Sequence, residues 1–378
     1  MNKLVVISDT KAYLDESSTM AFGPVVREFE NMKPLFSNIE WLVFRSEIKR
    51  RNFLDVDLDF MQLHFFKNMG GHSTSEKVKI LLKLPSLFFL IWKLIKKSDY
   101  IHLRAPSVPC LLALVFIPFY PKKTFWFKYA GNWVGHASLS YKVQRKLYRI
   151  MAIKFKNVKL TINGSWESHH RIFNFQNPCL TKEEKHIGEL VTKVKLYKQR
   201  NEINICFVGN LSVNKGILNL LEAFSVTSFS KPANLFVVGD SEMLQDIKRK
   251  YEEQSINNII FYGQLLPIEV HEIYKTSDFL CLPSKSEGFP KVIGECMNYG
   301  VIPIVTDISS IGQIINNDEN GFLLKDNGAK SIAKALNKVN ALSDNDYKSI
   351  IRTNSNLVEN FTYNYYNKRI NKSIFKKL

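Results

Sequence analysis

Two carboxylates eight positions apart, Glu287 and Glu295, bracket the run Gly288-Phe289-Pro290-Lys291-Val292-Ile293-Gly294. A carboxylate accepts strong hydrogen bonds from hydroxyl donors, so the pair suits a ligand rich in sugar hydroxyls. Ahead of them, Asp278 to Pro283 reads as a buried strand and Ser284 to Phe289 as its exit loop. Pro290 reads as the first helical position, where a missing N–H costs nothing. Unpaired amides at such a helix start face phosphate or sugar oxygens well. Glu287 in the loop and Glu295 in the second helical turn can then reach one crevice. Lys215 precedes another helical pattern, where the helix dipole disfavours a cation and makes a plain surface lysine the less expected reading.

Around these residues run Phe207-Val208-Gly209-Asn210-Leu211, Lys215-Gly216, Val237-Val238-Gly239-Asp240, Tyr262-Gly263 and Asn320-Gly321-Phe322, in that order. Together with Glu287 and Glu295 they resemble the E-x7-E signature and accompanying motifs of retaining glycosyltransferases of group 1, the GT4-like family, between Ile203 and Leu324. The resemblance implies the GT-B fold and a nucleotide-sugar donor, UDP- or GDP-linked. It gives Lys215 and Glu287 the catalytic parts: Lys215 neutralises the leaving diphosphate and Glu287 holds the donor sugar's hydroxyls. Glu295 would hold the ribose, with the amides of Gly288 and Phe289 facing sugar or phosphate. Gly263, Gln264 and Leu265 follow a strand of this half and could line the base. Asn210 departs from the family, which usually has an arginine there. An amide brings no charge, so another cation must substitute, and Lys291 is one candidate.

For the N-terminal half the same resemblance offers less. Gly23-Pro24 opens a helix whose amides either face the diphosphate or form a plain cap. Many relatives carry a histidine where this chain has Phe127 to Trp133; His136 is a substitute a few residues on. His102 and Arg104, leaving the strand Tyr100 to Leu103, are alternative acceptor or phosphate contacts, and a strand-end arginine suits an anionic acceptor. Asp55, Asp57 and Asp59 offer D-x-D spacing, but alternation along one strand accounts for them, so no catalytic metal and no other cofactor is expected.

The first half alternates apolar strands (Leu4 to Ser8, Trp41 to Phe44, Tyr100 to Leu103, Thr124 to Tyr129, Val158 to Ile162) with helical patterns. A second series begins at Asn204 to Val208. Alternation of this kind predicts two doubly wound α/β sheets, and 378 residues suit two domains. The expected division is an acceptor-side Rossmann-like domain over 1–180, a lysine-rich linker over 181–201 and a nucleotide-sugar-binding Rossmann-like domain over 202–360. A helix over 361–378 returns to the first, with the two domains facing across a cleft.

The formal charge of +17 favours anionic partners, although Lys, Asn, Ile and Phe are abundant throughout and compositional drift is the competing account. No nucleic-acid motif is present. The cysteines, Cys110, Cys179, Cys206, Cys281 and Cys296, are odd in number and mostly lie in apolar runs, as reduced thiols of a cytoplasmic protein do. The start lacks a secretory pattern. The apolar stretches Leu84 to Ile95 and Val108 to Tyr120 fall short of the ~20 residues of a membrane span. Cations around bulky apolar residues between Lys79 and Lys97 fit an interfacial helix on an anionic membrane, or a core helix with a basic outer face.

The function expected from all this is transfer of a sugar to a glycan or lipid-linked oligosaccharide in bacterial surface polysaccharide synthesis, in the cytoplasm or at the inner face of the membrane. The rival is a catalytically silent GT-B subunit that binds glycan or a partner transferase. A nucleotide-sugar epimerase shares the fold but does not account for the paired carboxylates in their context.

Overall fold

A computed structural model gives the fold over residues 2–67, 74–135, 138–242, 244–253 and 258–375. The chain divides into two compact units, Met1–Gln176 with Tyr363–Leu378, and Asn177–Thr362.

In the first unit β1 (Asn2–Leu14) and β2 (Thr19–Phe22) form an antiparallel hairpin before α1 (Gly23–Glu30), then β3 (Phe36–Arg45), β4 (Phe53–Asp55) and β5 (Met61–Phe66). α2 (Thr74–Lys96), β6 (Tyr100–Ala105), α3 (Val108–Ala113), β7 (Thr124–Tyr129), α4 (Leu139–Lys154), β8 (Val158–Ile162) and β9 (Ile172–Asn174) follow. The parallel strands run in the order β5-β3-β1-β6-β7-β8-β9, with β2 and β4 added antiparallel beyond the end of β1. Successive side chains of a strand point to opposite faces. Val5, Ile7, Leu103 and Phe127 accordingly enter the core beneath α2, α3 and α4. Leu4, Val6, Trp41 and Trp126 enter the one beneath α1.

In the second unit α5 (Lys182–Tyr197) leads into β10 (Ile203–Val208), α6 (Ile217–Val226), β11 (Ala233–Val238), α7 (Leu244–Glu253), β12 (Ile259–Gly263) and α8 (Pro267–Thr276). Next come β13 (Phe279–Leu282), α9 (Lys291–Asn298), β14 (Ile302–Thr306), β15 (Phe322–Leu324), α10 (Ala329–Asn340) and α11 (Asp344–Ser355). The sheet is parallel, ordered β12-β11-β10-β13-β14-β15, a doubly wound arrangement whose order reverses between β10 and β13. α12 (Tyr363–Ile370) belongs to the first unit, where the Tyr366 hydroxyl donates to Glu28 at 3.2 Å and Phe375, just beyond, packs on Phe36 and Tyr100.

Two sequence expectations change. The lysine-rich stretch after Thr181 is not a solvated linker but α5, started by a capping box in which Thr181 and Glu184 satisfy each other's amides. Gly188 and Thr192, one turn apart, make a small-residue face against α9: a Cβ on Gly188 would lie 2.2 Å from the Asn298 amide nitrogen, and the Thr192 hydroxyl donates to the Asn298 carbonyl. The aspartates at 55, 57 and 59 do not alternate along a strand. β4 stops at Asp55, and Asp57 accepts from the amides of Asp59 and Phe60 in a turn while pairing with Lys33 at 2.6 Å.

Candidate functional site

Where strand order reverses, the loops leaving the two flanking strands part and open a crevice at their carboxyl ends. β10 and β13 are those strands, and the loop of β10 carries Lys215 while that of β13 carries Glu287. Across the crevice the Lys215 ammonium pairs with Glu287 Oε1, and the buried Ser284 hydroxyl donates to the same oxygen at 2.8 Å. The two loops are also tied through the backbone, since the Lys285 amide donates to the Asn214 carbonyl at 2.7 Å. Gly216 caps α6 in the left-handed region, φ 72°, and its missing Cβ matters: one would lie 2.2 Å from the Pro283 carbonyl.

The loop before α9 is held from behind. The Phe289 ring is buried and stacks on Phe361 at 5.8 Å, and the Gly288 carbonyl accepts from the Ser309 hydroxyl at 2.8 Å. Among the described residues no protein group accepts from the Gly288 or Phe289 amide, nor donates to the second oxygen of Glu287. Those groups are what a ligand in the crevice could use. α9 itself begins at Lys291, with Pro290 as the cap rather than the first helical residue. Half-buried Glu295, on the next turn, accepts from the Tyr274 hydroxyl at 3.3 Å. Burial, and after it the neighbouring Glu295 charge, push the Tyr274 hydroxyl's pKa well up, so it remains a donor.

Glycines close the edge of the crevice along β10, β11 and β12. The Gly209 amide donates to the Val238 carbonyl at 3.0 Å and the Gly239 amide to the Gly263 carbonyl at 2.8 Å. Any side chain at Gly239 would drive into the Gly209 carbonyl, 1.8 Å from the Cβ position. Asn210, next to this edge, is exposed, with no side-chain partner among the described residues. Gln264 is half-buried, and Leu265 packs onto the core.

The N-terminal candidates fare differently. The Gly23 amide is taken by the Asn52 carbonyl at 2.9 Å, and a Cβ there would strike Leu54, so this glycine serves close packing and its amide is not open to a phosphate. His102 has no exposed surface: its ring lies 3.9 Å from that of Trp126, and burial holds its pKa well below the usual range. It is a neutral core residue with no surface open to a ligand. Arg104 is half-buried and pairs with Glu28 at 3.2 Å, beside Lys128, which binds the other Glu28 oxygen at 2.7 Å. His136 lies outside the described residues.

Sequence reasoning missed Ser284, Ser309 and Tyr274. Ser284 stood three residues before Glu287 in the same exit loop, a position from which a hydroxyl reaches a carboxylate; Tyr274, on α8, gave no such signal.

Residues 189–357, which hold both halves of the Lys215–Glu287 pair, match the family model Glycosyl transferases group 1. That stretch belongs to the group 1 glycosyltransferases. The chain is 28% identical over 297 residues to an uncharacterized glycosyltransferase of Haemophilus influenzae, covering 72% of this chain and 79% of that one. It is 31% identical over 159 residues to the UDP-Gal:alpha-D-GlcNAc-diphosphoundecaprenol alpha-1,3-galactosyltransferase of Escherichia coli, 40% of each chain. Among solved structures, Anabaena HepE in complex with UDP and glucose superposes over all of both chains, TM-score 0.68 at 14% identity. The lipopolysaccharide outer core galactosyltransferase WaaB does so with TM-score 0.67 at 20% identity. The chain thus has the GT-B fold.

Proposed function

We propose that the enzyme moves a sugar from a UDP- or GDP-sugar, with retention of configuration, to a hydroxyl of a glycan or lipid-linked oligosaccharide in bacterial surface polysaccharide synthesis. The observation that carries this reading is the meeting of Lys215 and Glu287 across the reversal point of the second sheet. The names of the Escherichia coli relative and of WaaB support the pathway class. Five free, buried cysteines agree with work in the cytoplasm.

In this mechanism the bond from the anomeric carbon to the diphosphate breaks, and the acceptor oxygen joins the same face. The departing phosphate oxygen takes the acceptor's proton, so the protein's part is binding and charge stabilisation rather than covalent chemistry. Lys215 leaves Glu287 for the diphosphate, and Glu287 turns to the sugar hydroxyls. The Gly288 and Phe289 amides accompany the phosphate, and Glu295 receives the ribose. The base lies along Gly263, Gln264 and Leu265, and Lys291 supplements the charge that Asn210 does not bring. No protein-bound metal is assigned a part, since Asp57 of the D-x-D run is committed to Lys33.

The exposed, uncharged Asn210 favours one competing reading, a silent subunit that binds without turnover. Donor hydrolysis and transfer by the purified protein separate the two. A nucleotide screen by thermal unfolding comes first, because a ligand at 100 times its Kd stabilises by about 2.7 kcal/mol. Stabilisation by UDP or GDP with sugar release supports the enzyme; stabilisation without any turnover of its donor supports the subunit. No stabilisation by any nucleotide removes the enzyme reading and leaves a silent subunit that binds glycan or a partner transferase.

A further inference from the structure

The positive charge is not spread along the chain. Between residues 77 and 166 stand 17 of the 52 Lys and Arg but only Asp99 among the 35 Asp and Glu. The remaining 288 residues carry 35 basic and 34 acidic side chains, close to balance. Compositional drift would dilute the excess over the whole sequence, so this concentration needs a local cause.

The same segment builds one helical layer of the first unit. α2, α3 with its continuing 3-10 turn Leu114–Phe119, and α4 share a core against one face of the sheet. Their outward faces do not revert to polar residues. Along α4, Leu139, Val143, Ile150 and Ile153 are exposed, interleaved with exposed Lys142, Lys146 and Lys154. On α2, exposed Phe89 lies under the Lys93 ammonium at 4.6 Å, and Lys96 covers the Trp92 ring at 4.1 Å. At the tip after α3, Phe119 is 74% exposed and precedes Lys122 and Lys123. That tip sits beside the end of α2, because the Lys123 ammonium donates to the Ser98 carbonyl at 2.6 Å and Phe116 packs on Phe88.

Large apolar side chains gathered on one surface mark an interaction site. Aliphatic residues alternating with lysines, whose stems lie along apolar matter while their heads stay wet, match the boundary between lipid headgroups and acyl chains. We infer that the outward face of α2, α3 and α4 docks on an anionic phospholipid bilayer. A nucleic acid would satisfy the lysines but would leave the Leu139, Val143, Ile150 and Ile153 side chains without a partner. The docking goes beyond the transfer reaction and holds whether or not the acceptor carries a lipid. None of the described helices is long and apolar enough to cross a membrane, so the contact is at the surface.

Co-sedimentation of the full chain with vesicles tests it. Phosphatidylglycerol–phosphatidylethanolamine vesicles should retain the protein at low salt and phosphatidylcholine vesicles should not. Each surface lysine removed should weaken partitioning roughly fivefold, so Lys93→Gln with Lys96→Gln and Lys146→Gln lowers it roughly 100-fold. Phe119→Ser should weaken the fraction that resists salt. The matched control is Lys325→Gln with Lys330→Gln and Lys334→Gln, an equal charge change in the second unit, which should leave partitioning unchanged. Thermal unfolding of each variant reports folding, and Phe119→Ser touches an exposed residue that the core does not need. Equal loss in the control, no difference between vesicle types, or capture by double-stranded DNA in preference to anionic vesicles would overturn the inference.

Discussion

Lys215→Ala removes the cation that faces the crevice and leaves Glu287 with the Ser284 hydroxyl as its remaining partner. The paired side chains are 24% and 12% exposed, between a surface pair, which contributes under about 1 kcal/mol, and a buried one, whose breaking costs about 3 to 5. Water can reach the vacated carboxylate, so the expected loss of stability is about 1 kcal/mol, a few degrees in Tm. The catalytic loss should be larger. A hydrogen bond to a charged group contributes about 1.5 to 3 kcal/mol, which converts to a fall in kcat/KM of roughly 10- to 150-fold. Charge grows on the diphosphate as the glycosidic bond breaks, so most of this should appear in kcat. Nucleotide release in the presence of donor and acceptor gives the rate, and urea unfolding the stability. The double variant Lys215→Ala, Glu287→Gln should then cost less than the sum of the two by at least about 1 kcal/mol, because both act on one ligand. A kcat/KM within twofold of wild type in a folded Lys215→Ala protein would refute the reasoning, as would additivity within about 0.3 kcal/mol.

Other outcomes follow from the same geometry. Asn210→Arg should tighten donor binding by roughly tenfold or more in calorimetry, since it supplies a charge-assisted donor at an exposed position; weaker binding with intact folding would show a pocket shaped around the amide. Glu295→Ala should raise the nucleotide Kd, and an unchanged value would remove its ribose role. Gly239→Ala should destabilise by about 2 kcal/mol or more, because its Cβ position lies 1.8 Å from the Gly209 carbonyl; an unchanged Tm would contradict the close approach. Lys195 donates to the Tyr274 and Ser277 carbonyls, and burial pulls its pKa down to about 8. The unfolded chain holds the extra proton between pH 8 and 10.5, so this group's contribution to stability rises with pH. Relative to Lys195→Met, wild type should gain about 2 kcal/mol between pH 7 and 9.5 in urea unfolding, and a flat difference would reject the shift.

The second sheet could be read almost strand by strand because buried parallel strands are short apolar runs with glycine or proline punctuation. β5 escaped such a reading: Met61–Phe66 is half-exposed along most of its length, and the aspartates before it drew the strand assignment to a turn. α5 escaped because its lysines obscured the Gly188 and Thr192 face that contacts α9. At the site, Lys215 and Glu287 were legible as motif residues, but their direct pairing was not, since 72 positions separate them and only the reversal of strand order brings them together. His102 shows the opposite limit. A strand-end histidine is the same letter whether it faces solvent or core, and here its alternation places it against Trp126.

The late return of α12 sets a timetable for synthesis. Residues Asn177–Thr362 leave the ribosome before Tyr366 can reach Glu28 or Phe375 can cover Phe36 and Tyr100. At about 5–20 residues per second, that interval lasts roughly 10 to 40 s. By its end the body begun second has all its strands while the body begun first still shows aromatic rings on one side. A nascent chain in that state is the one a chaperone would meet, and stalling the ribosome before codon 363 would hold it there.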